Sequence, residues 1–175
     1  MNYTLNIDID IKTTKLGISS DYQDKCIREL YRLGDTMDHK TNVKAIMTSF
    51  KVWDETDLFN PLVDRILHVT SNLFPFDDGR WVYKIDNCWG AIYKKGDYTL
   101  PHKHIPFYLS FVYYLQSNSD TPLVFNEGGG LRITPQDDDL IVFPSNLIHS
   151  VPIHEDEKDR ICIAGNILLT MNNND

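Results

Sequence analysis

Two histidines, His102 and His104, follow a glycine turn in the run Tyr93-Lys-Lys-Gly96-Asp-Tyr-Thr-Leu-Pro-His102-Lys-His104. On a strand, residues i and i+2 point to the same face, so this spacing can offer two imidazoles to one centre. A third, His149, closes the segment Phe143-Pro-Ser-Asn-Leu-Ile-His149 on a later apolar strand that a sandwich can fold beside the first. Three imidazoles from two strands make an open site for a borderline divalent metal such as Fe(II), Zn or Cu, with coordination positions left for substrate. Downstream lies Arg160-Ile-Cys162-Ile-Ala164-Gly-Asn166-Ile, whose alternation puts Arg160, Cys162, Ala164 and Asn166 on one face and the isoleucines on the other. A strand of that kind lines a polar cavity. Arg160 comes eleven residues after His149, near enough for its guanidinium to clamp a carboxylate bound at the metal. The pattern therefore asks for an anionic co-substrate.

The elements that must hold these groups can be read from periodicity. Residues 3–11 alternate Leu5, Ile7, Ile9 and Ile11 with polar residues, the signature of a strand with one wet face. Ser20 followed by Gln23 reads as a capping box, Tyr22, Cys26, Ile27, Leu30 and Tyr31 fall at helical spacing, and Gly34 supplies the stop. Residues 42–53 look strand-like; Asp54 or Thr56 can cap a second amphipathic helix, which carries Leu58, Leu62, Ile66, Leu67 and Leu73 to the Pro75 turn. From residue 80 the chain turns to short β-branched and aromatic runs between turn clusters, with no need of a third helix. Seven or eight strands after two helices predict an α+β fold, a jelly-roll (double-stranded β-helix) core with the helices buttressing one sheet. Residues 1–175 are expected to form a single domain, with 1–79 as buttress, 80–169 as core and 170–175 as a frayed tail.

Composition narrows the classes of function. The chain has 175 residues with 17 Lys and Arg against 25 Asp and Glu, a net charge of −8, which disfavours general nucleic-acid binding. The start MNYTLNIDIDIK has no basic region followed by an apolar one, and the run from Ile105 to Leu115 is too short to span a bilayer, so a soluble, cytoplasmic protein with no membrane partner is expected. Cys26, Cys88 and Cys162 are odd in number and lie in apolar segments, which suits reduced core thiols better than disulfides. His39, His68 and His154 read as ordinary surface or core histidines, with His154 a substitute ligand if the strand register differs. Arg160 has an ordinary reading too, an ion pair with Glu155, Asp156, Glu157 or Asp159. The glycines of Glu127-Gly-Gly-Gly130 read as a flexible hairpin near the site, and Asp137, Asp138 and Asp139 as a solvated turn.

Residues 81–169 resemble the Fe(II)- and 2-oxoglutarate-dependent dioxygenases of the prolyl-4-hydroxylase-like kind, especially small virus-borne and bacterial members. That group's signature runs Tyr-x2-Gly-x5-His-x-Asp, a Tyr-Leu strand, a Leu-x-Phe strand, and a Phe-Pro-Ser strand ending in His before an Arg. Tyr93, Gly96 and His102 fit the opening, Tyr114 and Leu115 the second strand, Leu123 and Phe125 the third, and FPSNLIH supplies His149 ahead of Arg160. The resemblance implies that His102 and His149 bind iron, that Arg160 pairs with the distal carboxylate of 2-oxoglutarate, and that Tyr114 hydrogen-bonds the co-substrate. Tyr93 is a second candidate for that pocket, beside the inward-facing Cys162 and Asn166.

The departure is at residue 104, where the family pattern has Asp. Either His104 is a ligand, which raises the formal charge of an iron(II) site from +1 to +2, or it turns away and leaves a vacancy as in the halogenases of that superfamily. The implied activity is hydroxylation of a peptidyl substrate, prolyl included, or of a small molecule, by dioxygen and 2-oxoglutarate, with release of succinate and CO2. Two other classes compete. A cupin-type three-histidine enzyme matches Gly96 to His104 and Pro144 to His149, but lacks that family's Glu and does not demand Arg160. A non-catalytic jelly-roll module would leave the histidines incidental.

Overall fold

The computed structural model describes residues 8–37, 40–76, 79–117, 120–127 and 129–172. Its longest pairing joins β4 (Trp81–Tyr93) to β11 (Arg160–Met171), and β6 (Leu109–Gln116) lies along the other side of β11, antiparallel to it. With β1 (Lys12–Lys15), β3 (Ile46–Met47) and β9 (Asp139–Pro144) they form one sheet in the order β1-β9-β6-β11-β4-β3. The second sheet runs β2-β5-β10-β7-β8, from β2 (Val43–Lys44), β5 (Tyr98–His102), β7 (Leu123–Phe125), β8 (Leu131–Ile133) and β10 (His149–Val151). The expected jelly roll with helices on one sheet is the observed architecture, and eight strands follow residue 80 among the described residues.

Both faces of the larger sheet are covered, which is why β11 alternates by chemistry rather than by polarity alone. Ile161, Ile163 and Ile167 pack with Leu30, Leu62 and Ile66 beneath α1 (Ser20–Leu33) and α3 (Asn60–Leu73). Cys162 faces the other way, into a cluster with Trp89, Tyr114, Phe125 and Phe143 between the sheets. Each fully buried leucine or isoleucine contributes about 1.5–3 kcal/mol, so the helices hold the sheet by these contacts. At Gly90 the helix comes so near that an added Cβ would lie 2.3 Å from Leu30 Cδ2.

Several local expectations need correction. The first strand occupies Lys12–Lys15 rather than 3–11; residues 8–11 are not strand, and 3–7 lie outside the described residues. Its position is set by pairing with β9, Lys12 opposite Val142 and Lys15 opposite Asp139. The cap of α1 is Ser19, extended and accepting from Tyr22 N–H, because Ser20 is already helical; Gln23 reaches instead to Tyr113 and Asp138. Residues 42–53 are not one strand: Val43–Lys44 and Ile46–Met47 join different sheets, and a helical turn, α2 (Val52–Glu55), follows. Thr56 caps a 3-10 turn, Asp57–Phe59, that leads into α3 with a proline in its first turn. β11 continues to Met171 and Asn172 N–H donates to Arg80 O, so the expected tail begins later than residue 170; 173–175 are outside the described residues.

The acidic turn 137–139 is a structural latch as well as a turn. Asp138 has φ 70°, a left-handed conformation that Asp tolerates better than most residues. Its carboxylate accepts from Gly17 N–H at 2.9 Å, Ile18 N–H at 3.1 Å and Tyr113 OH at 3.0 Å, tying the segment before α1 to β6. Asp138→Ala should cost about 2–4 kcal/mol in urea denaturation, because it strips an ionised acceptor from several donors and strains the turn, while Asp138→Asn should cost less. A loss below about 1 kcal/mol for the alanine variant would contradict this role.

Candidate metal and anion site

The three histidines converge by strand pairing. His102 ends β5 and His149 begins β10, directly opposite each other in the antiparallel register, while His104 lies two residues beyond β5 with its N–H donating to Ser145 O at 2.8 Å. The ring centroids are 4.4 Å apart for His102 and His149, 4.7 Å for His102 and His104, and 5.1 Å for His104 and His149. One ring nitrogen from each lies within 4.8 Å of the others, a spacing that a single metal ion can bridge.

Neighbouring groups select the ligand nitrogens. Nδ1 of His102 is 2.8 Å from Leu100 O, and Nδ1 of His149 is 3.0 Å from Leu147 O. A carbonyl oxygen only accepts, so both Nδ1 atoms carry the proton and both Nε2 lone pairs are free for a metal. Burial lowers the pKa of all three, with His104 at about 3 and His149 at about 4; at these two the neighbouring imidazoles add to the effect. At neutral pH the cluster is thus uncharged and ready to ligate. His154 is not part of it: its ring bonds Thr121 Oγ1 and Lys158 O, closing the turn before β11. His68 lies near Asn72 on the exposed side of α3, and His39 is outside the described residues.

Arg160 forms the second half of the site. It is 1% exposed, yet no carboxylate pairs with it among the described residues, so the expected ion pairs of the 155–159 turn are not made. Its Nη2 donates to Tyr114 OH at 2.9 Å, and the guanidinium carbon sits 5.2 Å from the Tyr93 ring centroid and 4.9 Å from that of Tyr114. Nε has no hydrogen-bond partner among the described residues. Tyr93 OH is engaged by Thr99 Oγ1 at 2.7 Å. Burial pushes both tyrosine hydroxyls up and raises the Cys162 thiol to about 11, so the groups around the cation are neutral. A buried guanidinium with neutral neighbours and an orphaned N–H is built to receive an anion.

β11 connects the two halves. Arg160, Cys162 and Ala164 face the space between the sheets, and Asn166 lies about 20 Å further along the strand at about 3.3 Å per residue. Asn166 is therefore far from Arg160: it lines a cavity beside His102 and His104, where its Oδ1 accepts from Ser110 Oγ at 2.7 Å and its Nδ2 donates to Asn87 Oδ1 at 2.8 Å. Sequence reasoning missed Asn87, Ser110, Trp89 and Thr99. Their inward positions on β4, β5 and β6 follow from strand parity once the register is known. The 127–130 turn does approach the site, since the Glu127 carboxylate accepts from Ile148 N–H next to His149. Gly128 is outside the described residues.

No protein-family model matches the chain, and no curated protein matches it by sequence. Solved structures do match by shape. An oxidoreductase of the 2OG-Fe(II) oxygenase family from Burkholderia pseudomallei superimposes with a TM-score of 0.72 at 14% identity, over 90% of this chain and 84% of that one. HygX from Streptomyces hygroscopicus, with nickel and 2-oxoglutarate bound, gives 0.68 at 11% identity, over 90% and 82%. The viral collagen prolyl hydroxylase of Paramecium Bursaria Chlorella virus-1, in its 2-oxoglutarate complex, gives 0.65 at 15% identity, over 90% and 94%. The fold is that of the 2-oxoglutarate oxygenases.

The depressed histidine pKa values fix a pH dependence. As pH falls below about 6.5 the unfolded chain takes up protons at these positions before the folded chain does, so stability declines until the folded values near 4 and 3 are reached. The thermal midpoint of the metal-free protein should fall steadily from pH 6.5 to 4, and His104→Gln should flatten that slope. An unchanged slope in the variant would contradict the assignment.

Proposed function

We propose that the chain is an Fe(II)- and 2-oxoglutarate-dependent oxygenase that hydroxylates an organic substrate. The observation that carries this reading is the occurrence, in one two-sheet barrel, of three convergent neutral imidazoles at the smaller sheet and, on β11 of the larger, a buried guanidinium with no carboxylate partner among the described residues. His102, His104 and His149 would hold the iron through their free ring nitrogens, and Arg160 would hold the distal carboxylate of 2-oxoglutarate. When bound, the iron supplies activation of dioxygen. Overall, one oxygen atom enters the succinate formed with CO2 and the other enters the hydroxylated product; dioxygen accepts two electrons from the keto acid and two from the substrate C–H bond.

The chain's own residues do the positioning. The Leu100 and Leu147 carbonyls orient two of the imidazoles, so little rearrangement is needed on ligation. Tyr114 OH and the two tyrosine faces fix the guanidinium plane, and the apolar cluster of Phe125, Phe143 and Val151 keeps water from the space between. A ligand set without a carboxylate leaves a formal charge of +2 on the iron, which favours the 2-oxoglutarate dianion. The cupin-type reading has no use for Arg160, whose orphaned Nε it leaves unexplained. Three buried free cysteines suit the reducing cytoplasm as the place of action, and no described helix is long and apolar enough to cross a membrane.

Anaerobic titration with Fe(II) and then 2-oxoglutarate should produce a visible charge-transfer absorption at one equivalent. Arg160→Met, which keeps the apolar stem and removes the guanidinium, should raise the 2-oxoglutarate Kd at least about tenfold, the scale of a lost charge-assisted hydrogen bond, and Arg160→Lys should restore part of it. Iron binding without the absorption would contradict the keto-acid assignment.

A further inference from the structure

The cavity beside His102 and His104 has a volume of about 340 Å³, within the range of small-molecule sites. The chemistry of its lining is one-sided. In a chain with 25 acidic against 17 basic residues, the described residues that line the cavity include Lys40 and Lys103 and no Asp or Glu. Both lysines are exposed, and neither has an ion pair or hydrogen bond among the described residues.

The neutral polar groups point the same way. Ser110 Oγ donates to Asn166 Oδ1 and Asn166 Nδ2 donates to Asn87 Oδ1, so each amide oxygen already accepts one hydrogen bond. Asn87 Nδ2 has only a 3.4 Å contact with Asp86, and Asn166 Nδ2 has a second hydrogen to give. Both amides therefore keep N–H donor capacity to offer a ligand. Besides Thr41, Asn42, Val43 and Met47, the wall carries aromatic rings: Trp89 packs edge-on against Phe50 with centroids 5.1 Å apart and lies 5.9 Å from the His104 ring, and Phe107 also lines the space.

We propose that this cavity binds the molecule to be oxidised and that this molecule is a small organic anion, a carboxylate or phosphate monoester with a flat apolar body. The acid group lies between Lys40 and Lys103 within reach of the amide donors, and the body lies against Trp89 and Phe50, next to the histidine cluster. The assignment as substrate rests on the oxygenase reading above; the anion preference rests on the cavity alone.

The test uses metal-free protein, so that no probe can bind through a metal, and follows tryptophan fluorescence during titration with 3-phenylpropanoate, phenyl phosphate, neutral 3-phenylpropanamide and the blocked acidic peptide acetyl-Phe-Glu-Phe-amide. At least one small anion should saturate at a concentration roughly tenfold lower than the amide, the scale of two part-exposed ion pairs. The better of the two acids tells carboxylate from phosphate. Lys40→Gln with Lys103→Gln should bring the anion within about twofold of the amide, Trp89→Phe should abolish the signal, and Arg160→Met should leave the preference intact, which separates this site from the keto-acid pocket. The proposal is overturned if the amide binds as well as the anions, if the preference survives loss of both lysines, if the peptide binds tighter than either small anion, or if no probe saturates. A charge-transfer absorption without an anion preference would overturn this inference alone. An anion preference without the absorption would keep the anion site and remove the oxygenase reading.

Discussion

The guanidinium of Arg160 is the constraint around which the barrel is organised. A buried cation without a counter-charge costs several kcal/mol even after relaxation, and the protein offsets that cost with a hydroxyl and two aromatic faces rather than a carboxylate. Tyr93 on β4, opposite Arg160, and Tyr114 on β6, opposite Cys162, must then stand inward on either side of β11. That register commits the rest: Ile161 and Ile163 turn to the helices, while Cys162 and Ala164 turn to the second sheet. A carboxylate from the chain would neutralise the arginine more cheaply and leave nothing for a ligand to do. Among the described residues no carboxylate meets this arginine, and the proposed function gives that charge to the co-substrate.

The histidine cluster is organised by the opposite device. Its members are kept neutral by burial, and their protons are directed away from the centre by backbone carbonyls at Leu100 and Leu147. The barrel thus carries a fixed positive charge at Arg160 and free lone pairs at the histidines. A dianion that coordinates a divalent metal by one end and meets a guanidinium at the other answers both requirements together.

Much of this was legible in the sequence because it is written in period two. His102 and His104, the inward series Arg160, Cys162, Ala164 and Asn166, and the helical stripes under Leu30 and Ile66 all follow from periodicity and need only a sheet to give them meaning. What was not legible depends on local competition or on distant pairing. Ser19 and Ser20 are equally good caps by type, and only the extended backbone at Ser19 decides between them. Residues 42–53 contain no Gly or Pro to mark the point, near Ala45, where the chain passes from one sheet to the other. Asp138 reads as one of three solvated acids, yet its donors come from Gly17 and Ile18, some 120 residues away. The cavity with Lys40, Phe50, Asn87, Trp89 and Asn166 is assembled from well-separated segments, so no local pattern announces it.

The most direct measurement is a crystal structure of the protein grown anaerobically with Fe(II) and 2-oxoglutarate. The account predicts one iron within about 2.0–2.2 Å of a ring nitrogen from each of His102, His104 and His149, and a 2-oxoglutarate carboxylate within hydrogen-bond distance of Arg160 Nε or Nη2. Iron held with His104 turned away, or an Arg160 still without an anion, would contradict it.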